Sequence, residues 1–581
     1  MRSQDGLAEL RLAIGQDSFV PKSLSALRNY TAGKFYADLI AGLTVGLVAL
    51  PLAMAFAISS GVPPQAGLYC AVVAGFIISA LGGSSTQIGG PTGAFVVVVA
   101  GIVGQYGMDG LFMCTIMAGV ILMLLGATGM GTAVKYIPRP VVIGFTNGIA
   151  VLIASTQIKD FLGLEIDKTP GEFLPRLVSI WESLPTLNVS ATIMASASLA
   201  LILILTKFLK RIPGSIIALF LATAAAWIFA LPVETIASRF GGVPSGFPAL
   251  VLPQFRPDLI PVLLQPAITV AMLGAIESLL SAVVSDRMSG DRHNPNVELF
   301  AQGVANVASP LFGGIPATGA IARTATNIRS GAKTPVAGMI HALTLLAVLL
   351  FAAPLAGHIP LAVLSSILLV VAYNMGEWSE IPFILRLGKA DIAVWLITFL
   401  LTVLADLTVA VEAGMILAAL LYIRKVTATT TVSEVTPEYI ETGYEHILQG
   451  KDIPEGVIIF RIHGPFLFGS TDKLAEITDR IDELPPVVCL RLRNMTAIDA
   501  TGLGAFEDLA DRLHASGRHL ILCGMRQQPL KLMQQARFTR HVGKRNMVES
   551  FAQAIERAKR LVSRHESGAS PTDVQSSERM P

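Results

Sequence analysis

From about residue 38 to residue 424 the chain is a near-continuous series of apolar stretches divided by short polar breaks. The stretches fall at roughly 38–60, 66–83, 110–130, 140–158, 190–208, 213–231, 261–284, 296–310, 335–353, 360–375, 391–405 and 408–424. Many approach the length of about 20 residues that spans a bilayer as helix. Two further stretches break the pattern. Gly89-Gly90-Pro91-Thr92-Gly93-Ala94-Phe95 and Gly313-Gly314-Ile315-Pro316-Ala317-Thr318-Gly319-Ala320-Ile321 each interrupt an apolar region, and the second echoes the first. Glycine and proline stop a helix, yet proline suits the first turn of a new one. Each stretch therefore predicts extended chain entering the membrane, followed by a half-helix, from 91 in the first case and from 316 in the second. A helix that begins at mid-membrane aims unpaired N–H groups and the positive end of its dipole at what lies beyond it.

With the two half-helices there are fourteen elements, seven in each half, and an odd number per half inverts the second half relative to the first. Basic residues concentrate in alternate loops. One set holds Lys135, Arg139, Lys207, Lys210, Arg211, Arg287, Arg292, Arg329, Lys333, Arg386, Lys389, Arg424 and Lys425. The other holds Lys159, Lys168, Arg176, Arg239 and Arg256. The first set marks the inner side, so both termini are expected in the cytoplasm. Residues 1–37 are polar, carry no apolar run and predict a cytoplasmic entry segment without a cleavable leader. The transport domain is expected over 38–425.

Beyond residue 424 the strand-like runs Val457–Ile462, Val487–Leu492 and His519–Cys523 alternate with helical patterns near 471–484, 502–516, 527–536 and 547–563. This predicts a small α/β domain over 431–563, followed by a tail, 564–581, rich in Ser, Glu and Pro and expected to be disordered. Composition agrees: 52% of residues are hydrophobic, 14% are charged, and mean hydropathy is +0.63, outside the soluble range. The net charge of +2 gives no sign of a nucleic-acid partner. Cys70, Cys114, Cys489 and Cys523 lack metal-ligand spacing and are expected as free thiols. No metal or cofactor is implied.

Glu277 is the sharpest single residue. It lies deep in an apolar run, where an acid costs about 2.5–3.5 kcal/mol on insertion scales and needs a cavity or a partner. Gly274, Glu277 and Ser281 share one helix face, flanked by Ser278, which suits a hydrated cavity where a carboxyl takes up and returns a proton. The alternative is a fixed ion pair with Arg323. Arg323 follows the second half-helix start, and its charge adds to the two helix ends to hold an anion without metal; the alternative is an arginine reaching the inner interface. Arg329 and Lys333 read as ordinary inner-loop charges. Pro51 interrupts the first helix, which makes Met54 or Phe56 candidates for substrate contact, with core packing the other reading. Asp406 is expected at a loop, and Glu412 has no assigned role. In the α/β domain Asp499 or Thr501 could cap the helix after 499, or Thr501 could be a regulatory hydroxyl. No phosphate loop and no nucleophile–base set is evident, so an enzyme or an ATP-driven pump is not expected. A channel and a membrane-tethered sensor remain open alternatives.

Taken together, Ala49-Leu50-Pro51, Gly89–Gly93, Gly144-Phe145-Thr146-Asn147-Gly148, Phe312–Pro316 and Asp499-Ala500-Thr501-Gly502 resemble the SulP anion transporters, also called SLC26, from about residue 25 to 560. The resemblance implies an α-helical polytopic membrane protein: fourteen segments in a 7+7 inverted repeat, a core domain moving against a gate domain, a cytoplasmic STAS domain of α/β type, and a homodimer in a bacterial inner membrane. It places a small inorganic or organic anion near Gly93, Ala94 and Phe95 on one side and Gly319, Ala320, Ile321 and Arg323 on the other. Phe56 contributes from the first segment, and Glu277 supplies the acid. It also implies that a cytoplasmic regulator could act at the STAS domain, near Asp499 and Thr501. Many members carry glutamine where this chain has Leu52, and serines where it has Ala320 and Ala322, so its site leans on backbone N–H groups. Sodium-using members tend to carry aspartate at the acid position; Glu277 favours protons. The runs Gly274–Leu280 and Gln157–Leu164 look most like the bacterial C4-dicarboxylate branch, which implies proton-coupled uptake of a dicarboxylate.

Overall fold

The computed structural model describes residues 19–566 except 29, 133–137, 167–169, 209–213, 252–253, 255, 406 and 436–452. Asp406, Lys135, Lys168, Lys210 and Arg211 lie outside the described residues, as do residues 1–18 of the entry segment and the tail from 567. The chain divides into two compact units, residues 1–418 and 419–581.

The first unit is helical: α1 Lys22–Leu27, α2 Ala32–Ser59, α3 Pro64–Leu81, α4 Val96–Ala127, α5 Arg139–Leu162, α6 Phe173–Glu182, α7 Val189–Phe208, α8 Gly214–Ile228, α9 Ile236–Phe240, α10 Ile260–Ser289, α11 Pro295–Leu311, α12 Ile321–Arg329, α13 Val336–Phe351, α14 Ala353–Ala356, α15 Leu361–Met375, α16 Ile381–Ile384, α17 Lys389–Leu404 and α18 Leu407–Thr429, the last crossing into the second unit. Among the described residues, seven helices are long and apolar enough to cross a membrane. Others, such as α8 and α13, are shorter apolar helices. Two local features bring the count of segments to fourteen. Gly107 adopts φ 70° and ψ −171°, a conformation open to glycine, and divides α4 into two segments. The short α12 is the second half-helix.

The packing follows the inverted repeat. The first helix of the first half, α2, packs on the fourth of the second, α13; reciprocally, α10 packs on the fourth segment of the first half, the later part of α4. The second helices behave alike: α3 packs on α13 and α11 on α4. The fifth helix, α5, packs instead on α15 and α17, and α15 also on α7. These contacts sort the helices into a core group (α2, α3, α4, α10–α13) and a gate group (α5, α7, α15, α17).

The interrupted stretches pair with each other. Strand β1, Gly89–Gly90, and strand β2, Thr318–Gly319, run antiparallel with Gly89 opposite Gly319 and Gly90 opposite Thr318. A turn of 3-10 helix, Gly93–Phe95, then leads into α4. The second half-helix starts at Ile321 rather than at the expected 316. Residues 316–320 stay extended because their backbone is bonded sideways: the Ala317 N–H donates to Asn306 Oδ1 and the Ala317 carbonyl accepts from Asn306 Nδ2, both at 2.8 Å.

The second unit is a five-stranded sheet ordered β3-β4-β5-β6-β7, with β3 Thr431–Glu434 antiparallel and β4 Val457–Phe466, β5 Val487–Ile498, β6 His519–Cys523 and β7 Met547–Val548 parallel. Helices α19 Asp472–Thr478, α20 Ala500–Ala515, α21 Gln527–Gln535, α22 Thr539–Val542 and α23 Phe551–Glu566 complete it. Strand residues alternate between two cores: Val488, Leu490 and Leu492 meet Phe506 and Leu509, while Val487 and Cys489 meet Ala554 and Ala558. The edge strand β3 was not anticipated, and α23 runs to Glu566, so residues 564–566 of the expected tail are helical. All four cysteines are free and buried.

Candidate functional site

The crossing of β1 and β2 puts two helix starts side by side, and no side chain caps either. Ala320, at the N-cap of α12, supplies no cap bond. Thr92, at the N-cap of the 3-10 turn, could have capped it, but its hydroxyl is turned away: Thr92 Oγ1 donates to Glu277 Oε2 at 2.8 Å. The Phe95 N–H donates to the Thr92 carbonyl at 3.3 Å, and the earlier N–H groups of that start and the first N–H groups of α12 are left without a capping side chain. Gly93, Ala94 and Phe95 are buried, while Ile321 is half-buried and Ala322 exposed, so the second start opens onto accessible space. Glu277 is half-buried.

Phe56 lies against this point. A Cβ on Gly93 would stand 3.3 Å from the Phe56 ring, 2.8 Å from Ile153 Cδ1 and 3.2 Å from Met375 Sδ. Gly93 is therefore one place where the core group closely approaches α5 and α15 of the gate group, and a side chain there would crowd all three neighbours. Met54 is fully buried, as core packing requires.

Arg323 is 3% exposed and turned against β1. Its Nη2 donates to the Pro91 carbonyl, and Nη1 lies beside Gly90 without a hydrogen-bond partner. In this arrangement no ion pair joins it to Glu277: Glu277 is bonded to Thr92 and Arg323 to Pro91.

The hydroxyl face of α10 departs from the expected hydrated cavity. Ser278 and Ser281 are fully buried and fix the crossing chain. Ser278 Oγ accepts from the Gly319 N–H at 3.1 Å and bonds Thr318 Oγ1 at 2.7 Å, while Ser281 bonds Thr324 at 3.1 Å. Thr324 Oγ1 in turn accepts from the Ile88 N–H at 3.0 Å. Thr92, Thr318, Thr324 and Asn306 were not singled out from sequence. Thr92 and Thr318 carry the one available signal, as the repeated Thr-Gly-Ala of the two stretches. Glu412 is exposed on α18. A groove of about 330 Å³ between α7 and α8, lined by residues such as Met194, Ala218 and Leu221, is apolar and shares no residue with the cluster.

In the second unit Asp499 caps α20. Its Oδ1 accepts from the Gly502 N–H at 2.7 Å and its Oδ2 from the Phe468 N–H at 3.0 Å. Thr501 is exposed in the first turn. Among the described residues no group of His, Cys, Asp or Glu could hold a metal ion.

Comparison with known proteins fits both units. The family model described as the sulfate permease family matches residues 35–398, and that of the STAS domain residues 451–554. The putative sulfate transporter YvdB of Bacillus subtilis is 41% identical over 525 residues, covering 90% of this chain and 97% of that protein. The bicarbonate transporter BicA of Picosynechococcus is 31% identical, over 90% of this chain and 94% of its own length. Among solved structures, that of SLC26A9 superposes with a TM-score of 0.84 at 18% identity, covering 97% of this chain and 96% of that one, a likeness of fold. A 14-segment membrane fold, a paired-strand crossing with two open helix starts and these matches agree: the chain belongs to the sulfate permease (SulP/SLC26) family of anion transporters, with a C-terminal STAS domain, and is a transporter rather than an enzyme.

Proposed function

We propose that the chain carries out proton-coupled uptake of a small oxyanion, by movement of the core group against the gate group. The observation that carries this reading is the pair of uncapped helix starts at the β1–β2 crossing with Glu277 one hydrogen bond away. Backbone N–H groups at Gly93, Ala94, Ile321 and Ala322 hold the anion, Phe95 lines the site with its own N–H bonded to the Thr92 carbonyl, and the Arg323 charge favours the anion from behind. Gly319 and Ala320 shape the approach, and Phe56 closes one side. An ionised Glu277 beside a bound anion repels it, so a proton on Glu277 and an anion on the helix ends favour each other, and linkage makes the effect reciprocal.

A site of this kind recognises charge and size above detailed shape. Relatives named as sulfate and bicarbonate transporters put those two anions first. A C4-dicarboxylate is the second reading, supported by the Gly274–Leu280 and Gln157–Leu164 runs. A competition panel in proteoliposomes at fixed pH tests the order: sulfate or bicarbonate should displace labelled sulfate best, succinate less well. Uracil displacing it better than any anion would overturn the anion-site reading. The distribution of basic residues among the loops supports both termini lying in the cytoplasm. The STAS domain serves assembly or regulation of a homodimer, with Asp499 structural and Thr501 open to modification.

A further inference from the structure

Helix α6 is amphipathic in an unusual sense. Its outward face is apolar: Leu174, Val178 and Trp181 are 57%, 55% and 75% exposed, with Leu177 beside them, a stripe at i, i+3, i+4 and i+7. Its inward face carries Arg176, 3% exposed, and Ile180. Arg176 is bonded to neutral partners. Nε donates to the Pro170 carbonyl at 3.1 Å, Nη1 to Ser155 Oγ at 2.9 Å and the Leu152 carbonyl at 3.4 Å, and Nη2 to the Gly171 carbonyl. The arginine thereby ties α6 to the later half of α5.

The second repeat has a counterpart after its own fifth segment. Around α16, Phe383, Leu385 and Leu387 are exposed, while Ile384 is buried. This element is tied to the early half of α5: Arg139 pairs with Glu380 at 2.9 Å and lies over the Phe383 ring, and Asn147 Nδ2 donates to the Gly376 carbonyl. Helix α5 has 24 residues, about 36 Å at 1.5 Å per residue. The two elements are held from its opposite halves.

We propose that α6 is an interfacial anchor, its stripe of Leu174, Leu177, Val178 and Trp181 seated at the headgroup–acyl boundary of the bilayer. Connectivity favours lipid as the occupant. Residues 163–188 join two spanning helices, so the segment stays at a membrane surface, and ten residues are too few to span. The stripe also continues into Leu187, Val189 and Ile193, which are exposed at the start of α7. A tryptophan at the end of an apolar face suits the interface. With α16 as the counterpart at the other leaflet, α5 is pinned at both surfaces and the gate group is held still in the membrane. The seating of α6 in lipid does not depend on the transported anion.

Nitroxide labels on single cysteines introduced at 174, 178 and 181 of the full chain, in phosphatidylethanolamine–phosphatidylglycerol vesicles, test this; the native cysteines are buried, and wild type serves as the labelling control. At all three positions collision with oxygen should exceed collision with a water-soluble nickel chelate several-fold, and Glu182→Cys should show the reverse. Greater nickel access at 178 and 181 would overturn the proposal. So would immobilised labels shielded from both reagents, the signature of a second copy packed on the stripe. A label-free measure guards against perturbation: brominated lipid should quench wild-type tryptophan emission more than that of Trp181→Phe. Equal fractional quenching in the two proteins would overturn the proposal as well.

Discussion

Gly93→Ala puts one methyl group at the contact between core and gate. The new carbon would lie 2.8 Å from Ile153 Cδ1, 3.2 Å from Met375 Sδ and 3.3 Å from Phe56 Cε1, against a comfortable carbon–carbon separation of about 3.5–4.0 Å. Three neighbours must retreat, the nearest by more than half an ångström. Overpacking of this kind costs about 1–3 kcal/mol, which corresponds to roughly 5- to 150-fold in a rate or affinity that needs this contact. Initial uptake of labelled sulfate into proteoliposomes is the assay, with the elution profile of the purified protein checking that it folds. The nearest atom is the end of a side chain, so Ile153→Val should recover much of the loss. The pair should show coupling of about 0.5–3 kcal/mol, although Ile153→Val alone costs about 0.5–1.5 kcal/mol. Wild-type uptake by Gly93→Ala, or a double variant no better than the single, would refute the placement of Gly93 against the gate.

Three further substitutions probe the scaffold. Asn306→Ala leaves the buried Ala317 N–H and carbonyl without partners; at about 1–3 kcal/mol for each unsatisfied group, the detergent-solubilised protein should melt at a clearly lower temperature, which differential scanning fluorimetry reads. Asp291 lies in the loop before α11. Its burial is outweighed by hydrogen bonds from Ser85 and Lys22 and by the Lys22 charge, so its carboxyl sits below the ordinary aspartate value. A depressed value stabilises above the unfolded-state value, and that stability is lost as pH falls through the folded one. Asp291→Asn should therefore lower the melting temperature at pH 7 and make no difference in the most acid buffers the protein tolerates; an equal deficit throughout would contradict the assignment. Asp499→Ala removes the cap bond to the Gly502 N–H and a second bond to the Phe468 N–H and should destabilise the STAS unit by about 0.5–2 kcal/mol without changing the preferred anion in a competition assay.

Much of this architecture is written in local chemistry. Gly-Gly-Pro at 89–91 and Gly-Gly-Ile-Pro at 313–316 forbid a continuous helix, so two breaks inside apolar runs were visible without coordinates. The start of α12 was misplaced by five residues because Asn306, from another helix, pays the hydrogen bonds that keep Ala317 extended. A partner so remote leaves no trace in the local pattern. The hydroxyls of α10 were legible as a face but not as to purpose. Ser278 and Ser281 bond β2 and α12, and that depends on the β1–β2 pairing, a contact across some 230 positions. Arg323 was found by its charge, while its turn towards Pro91 follows from the space Gly90 leaves. Edge strand β3 is short and half-exposed, and its sequence, Thr-Val-Ser-Glu, carries no strong apolar alternation.

The central claim is that Glu277 couples proton and anion. Proteoliposomes holding wild type or Glu277→Gln, loaded at pH 7.5 and diluted into buffer at about pH 6 with labelled sulfate, or with bicarbonate or succinate if the competition panel ranks them higher, test it most directly. Glutamine keeps the shape and the acceptor for Thr92 Oγ1 but carries no exchangeable carboxyl proton. Wild type should accumulate anion above the external concentration, and Glu277→Gln should bind and exchange anion yet reach no more than equilibration. Accumulation by Glu277→Gln to the wild-type level under the same gradient would contradict the account.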